Sequence, residues 1–131
     1  MASDVRIAPA STKMLWAGRI VSALVVLGLM MSAVMKFIQP VQFKEEFAKS
    51  GWNANLLVPL GIVEVICTLL YAIPRTSVLG AILLTGYLGG AVATHVRTGD
   101  SFIPPIVLGI LVWLGLFLRD PRLREILPLR R

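Results

Sequence analysis

Three side chains in this sequence are chemically capable and sit in apolar surroundings: Lys36, Glu64 and His95. A charged group in hydrocarbon is costly, so it turns towards a bundle interior and finds a partner there. Histidine changes charge near neutral pH. A carboxylate and an imidazole together can pass protons, and a lysine opposite them can form an ion pair or hold an anionic ligand. The spacing extends each residue into a stripe. Gly28, Ser32 and Lys36 recur at four, as do Tyr87, Ala91 and His95; Gly61, Glu64, Thr68 and Tyr71 recur at three and four. Residues three or four apart share a helix face. Lys36, Glu64 and His95 are therefore the candidates for proton transfer or ligand binding, with Thr68, Tyr71 and Tyr87 lining the pocket.

Other chemistries are excluded by composition. The chain has one cysteine, Cys67, and one histidine. A structural zinc site needs four such ligands, so no metal is expected. A redox dithiol needs two thiols. No glycine-rich phosphate loop follows a strand. The net charge of +6 sits at the chain ends and between the apolar blocks. That pattern sets topology and contacts anionic lipid, and does not point to nucleic acid.

The elements that must position these residues are membrane spans. The chain has 131 residues, 56% of them hydrophobic, with a mean hydropathy of +0.81. Its apolar residues fall into four blocks, about 14–38, 55–73, 78–96 and 103–118. About 20 residues cross a ~30 Å hydrocarbon core, so the fourth block is the shortest. Pro40 ends the first block. In the longer connection that follows, Phe43 and Phe47 share a face and Trp52 suits headgroup depth, which predicts an interfacial helix over 42–50. Residues 1–13 read as polar and irregular, with Pro9 against an early helix. The first block is too long for a signal core and is read as a retained span. Pro74-Arg75-Thr76-Ser77 is a tight connection, and Asp120-Pro121 opens a basic tail.

With both termini cytoplasmic, nine basic residues lie inside, including Arg19, Arg75, Arg119 and Arg122, against Lys36, Lys44, Lys49 and Arg97 outside. This bias sets the orientation. Lys36, Glu64 and His95 then all fall in the outer half. The expected fold is all-α: one transmembrane four-helix bundle over residues 1–131. Gly86-x-x-x-Gly90 is read as a helix-packing feature that leaves a homodimer open.

The order Ser32-Ala-x-x-Lys36-Phe37, Leu60-Gly61-x-x-Glu64, Pro74-Arg75-Thr76 and Gly89-Gly90-Ala-x-Ala-Thr94-His95 resembles the DoxX-like family of four-span membrane proteins, over about 14–118. The resemblance implies a membrane bundle, in the bacterial inner membrane. It also implies a link to quinone or sulfur redox, or to oxidative-stress complexes with protein partners. Three functions are then open. The first is a redox subunit, an oxidoreductase component binding a quinone or an apolar substrate near Glu64 and His95. The second is a non-catalytic scaffold for partner proteins. The third is a small proton-coupled multidrug-type transporter, although such proteins place their glutamate in the first span.

Overall fold

The computed structural model describes residues 11–127, so the reading of an irregular stretch over 1–13 lies almost wholly outside it. The described residues contain only helices. These are α1 (Thr12–Ile38), α2 (Val41–Lys49), a 3-10 turn (Ala54–Leu56), α3 (Leu57–Ala72), α4 (Ser77–Thr98), α5 (Ile103–Arg119) and α6 (Pro121–Arg124).

Local chemistry sets these boundaries. The Ser11 side chain accepts from the Met14 amide and caps α1, as serine does at N-caps. Gln39 closes α1 in the left-handed region at φ 54, and Pro40 follows. Gly99, at φ 80, closes α4. Pro104 and Pro105 start α5, where a missing amide proton costs no helix bond. The basic tail opens with the short helix α6, capped by the Asp120 carboxylate on the Arg122 amide. Leu123 on it is buried.

The four long helices form a ring. α1 packs on α3 and α5, and α4 packs on the same two, so α1 and α4 stand diagonally opposed. The helices alternate in direction. Both described chain ends and the α3–α4 turn lie at one end of the bundle, the termini end. The α1–α3 and α4–α5 connections lie at the other, the loop end.

The bundle is apolar inside and out. Val25, Leu29, Leu84, Val112 and Leu116 fill the core, while Leu24, Leu27, Met31, Ile66, Ile82 and Ile110 point outwards. Soluble proteins avoid large continuous exposed apolar surface; a lipid-facing bundle requires it. Among the described residues three helical stretches are long and apolar enough to cross a membrane: Thr12–Ile38, Ala54–Ala72 (the 3-10 turn joined to α3) and Ser77–Thr98. The fourth, Ile103–Arg119, is apolar but shorter, at 17 residues, or about 26 Å at 1.5 Å per residue.

The glycines that bring helices together are not those in the Gly86-x-x-x-Gly90 spacing. A Cβ on Gly86 or Gly90 would meet nothing within 4 Å; both face outwards. The tightest approaches are at Gly80, where α4 meets the backbone of Tyr71, at Gly115, where α5 meets Ser22, and at Gly18, where α1 meets the backbone of Gly115 and Arg119.

Candidate functional site

Two polar clusters occupy the bundle interior, one towards each end. The loop-end cluster is built by α1, α3 and α4. Lys36 in the last turn of α1 donates to Ser32 Oγ, one turn back, at 2.8 Å. Its ammonium also reaches Glu64 Oε1 at 3.3 Å and Oε2 at 3.4 Å. Ser32 closes the triangle by donating to Glu64 Oε2 at 3.2 Å. The Lys36 ammonium lies 5.8 Å from the centroid of the Tyr87 ring, contributed by the diagonal helix. That is within cation–π range.

The small residue Gly61 makes this possible. A Cβ there would meet Phe37 Cζ at 3.0 Å and Lys36 Cβ at 3.3 Å. The α1 helix thus comes close enough to α3 for a lysine and a glutamate to pair below the bundle end. The pair is enclosed, with side chains 12% and 2% exposed. In such a setting the desolvation cost and the attraction nearly balance, and removal of one partner strands a buried charge.

His95 does not join this pair. It is eight residues beyond Tyr87 on α4, or about 12 Å further along the axis. Its Nδ1 lies 2.7 Å from the Ala91 carbonyl. A carbonyl only accepts, so Nδ1 carries a proton here. His95 lines an open polar cleft of about 660 Å³, together with Glu46, Lys49, Ser50, Arg97, Thr98 and Asp100. The sequence stripes thus divide into a deep pair and a histidine at the mouth.

Thr68 is fully buried and donates to the Glu64 carbonyl at 2.7 Å, so its hydroxyl serves its own helix. Tyr71 belongs to the second cluster, towards the termini end. Its hydroxyl donates to the Val112 carbonyl at 2.7 Å and lies 3.2 Å from Ser22 Oγ. Arg119 donates from Nη2 to the Tyr71 carbonyl at 2.8 Å, its guanidinium 4.8 Å from the ring centroid. Of the three residues expected to line one pocket, only Tyr87 stands beside Lys36.

Gly115 and Arg119 are four apart near the end of α5, but Ser22 and Tyr71 come from other helices, so no single stripe joins the cluster. Ser32 was visible in the Lys36 stripe. Tyr71→Phe tests the second cluster. It removes one buried hydroxyl and its bond to Val112, and is expected to cost about 1–2 kcal/mol, measured by reversible unfolding in mixed micelles. Among the described residues, no cluster of His, Cys, Asp or Glu could hold a metal ion.

The profile of the DoxX-like family matches residues 20–115. The chain belongs to the DoxX-like family. No curated protein and no solved structure matches it. The matched stretch of this DoxX-like membrane protein holds the whole Ser32–Lys36–Glu64–Tyr87 cluster and His95. Arg119 and α6 fall beyond it.

Proposed function

We propose that this DoxX-like protein is the membrane subunit of a redox system, with its loop end facing out of a bacterial inner membrane and both termini in the cytoplasm. The basic-residue asymmetry supports that orientation. The reading rests on one observation above all: an ion pair, Lys36–Glu64, enclosed inside an apolar bundle and joined by Ser32 and Tyr87. Intramembrane ionisable residues mark ligand and proton paths.

A quinone-type head group suits this chemistry. It takes up protons with its electrons, is carried by an apolar tail, and accepts hydrogen bonds at its carbonyls. Lys36 would donate to such a carbonyl, Glu64 would balance the charge, and His95 would exchange protons with water in the cleft. Electrons would come from a protein partner. A small sulfur compound handled by the same partner is the other substrate class the family suggests.

A scaffold reading has its own support, because both Glu64 oxygens are already partnered within the chain. A register-fixing pair has the same appearance. Binding separates the two. The purified protein in proteoliposomes is expected to bind a short-tailed quinone, and Glu64→Gln to weaken that binding at least tenfold while the bundle keeps its helicity. Absence of binding by the unaltered protein, with soluble partners supplied, would overturn the redox reading and leave the scaffold.

A further inference from the structure

The connection from α1 to α3 takes a detour. Its two ends belong to neighbouring helices, yet its middle is fastened to α4, which stands diagonally across the bundle from α1. Trp52 Nε1 donates to Thr94 Oγ1 at 3.1 Å. Arg97 Nη2 donates to the Ser50 carbonyl. The same guanidinium lies 5.7 Å from the centroid of the Trp52 ring. Between these residues, Gly51 turns the chain at φ 89, and a Cβ there would stand 3.0 Å from Arg97 Nη2. The bend and the close seating of Arg97 both call for glycine.

Everything that holds this segment is polar and at the surface. Neither α2 nor the 3-10 turn contributes a buried residue, whereas each long helix contributes four or more. Segments with few buried apolar contacts open at far lower free energy than the core they lie on. The fastening is also concentrated: Arg97 alone makes two of the three contacts. The Lys36–Glu64 pair lies inward of this end of the bundle, Lys36 in the last turn of α1 and Glu64 about two turns into α3, and the polar cleft lies between α2 and the end of α4.

We infer that Ser50–Asn53 is a latched strap across the loop end of the bundle, with Arg97 as its catch, and that its release admits solutes from the aqueous side to the Lys36–Glu64 pair. This builds on the reading of that pair as a ligand site. The gating itself is measurable without any ligand or activity.

The test is the rate at which a water-soluble, membrane-impermeant methanethiosulfonate labels a thiol beside the pair. The full chain carries Cys67→Ala and Ser32→Cys, reconstituted in liposomes, and Glu45→Cys on exposed α2 in the same Cys67→Ala background sets the reagent's reference rate. Arg97→Gln removes both the stacked charge and the guanidinium bond to the Ser50 carbonyl. It is expected to raise labelling at position 32 roughly tenfold, as the population of an open strap grows, with the reference unchanged. Trp52→Phe keeps the ring under Arg97 and loses only the bond to Thr94, so a smaller rise is expected. That variant decides the matter should Arg97→Gln fail to fold. Equal labelling rates at position 32, with the strap fastened and released, would overturn the inference. Faster labelling without any quinone binding would uphold the strap and sink the redox reading instead.

Discussion

Lys36→Met is expected to destabilise the bundle by about 3–5 kcal/mol, the range for a buried charge that loses its partner. The methionine fills the lysine's aliphatic volume, so the loss isolates the ammonium. Glu64 would be left 2% exposed, with Ser32 as its remaining side-chain donor. Glu64→Gln also strands a charge, the Lys36 ammonium, but that side chain is 12% exposed and keeps Ser32 and the Tyr87 ring, so this variant is expected to cost less. The double variant Lys36→Met with Glu64→Gln should recover most of the loss. Replacing both members of a buried pair is often neutral, whereas removing one is not. Reversible unfolding in mixed micelles measures all three variants. A double variant as unstable as Lys36→Met would show that the pair does not carry the coupling. The double variant also divides the functional readings. Stable and inactive, it marks a ligand or proton site; stable and fully active, it marks a scaffold.

Gly80→Ala is expected to cost about 3 kcal/mol, the upper end of ordinary overpacking. The added Cβ would lie 2.2 Å from the Tyr71 amide nitrogen and 2.5 Å from its Cα. These are backbone atoms, so no side chain can rotate away, and α4 must separate from α3. That movement also strains the second cluster, because the Tyr71 hydroxyl reaches Val112 on α5 and its carbonyl receives Arg119. Gly86→Ala is the matched control. It meets open space and gains the higher helix propensity of alanine, so its unfolding free energy should stay within about 0.5 kcal/mol of the unaltered protein, the usual range for surface changes. Equal effects of the two alanines would contradict the packing described for the α3–α4 pair.

How much of this was legible in the residues differs from feature to feature. Four apolar blocks, separated by Pro40, by Pro74-Arg75 and by Gly99-Asp100, are written locally, since helix length and helix breakers need no tertiary knowledge. The pairing of Lys36 with Glu64 was nearly legible too. Antiparallel neighbours place the end of α1 beside the start of α3, and isolated charges in apolar blocks seek each other. His95 belongs to an equally regular stripe, but the stripe says nothing about how far along the axis the partners lie.

What periodicity could not reveal is which face turns inward. In a soluble helix the apolar face is the buried one. In a membrane helix the lipid-facing side is as apolar as the core, so the contrast that orients a helix vanishes. Gly86 and Gly90 looked like packing glycines and face outwards; Gly80 and Gly115 carry no motif and hold the helices together. Tyr71 shared a stripe with Glu64 yet closes a cluster towards the other end with Ser22, Val112 and Arg119. The strap over the loop end joins residues more than forty positions apart through polar surface contacts, and no local pattern encodes a contact of that kind. The sequence by itself determined a four-helix, DoxX-like membrane protein with Lys36, Glu64 and His95 as its intramembrane polar groups. Only the tertiary structure decided that His95 stands at the mouth, which glycines set the helix spacing, and how the loop end is covered, because those depend on helix rotation and axial offset, and hydrophobicity is silent on both in lipid.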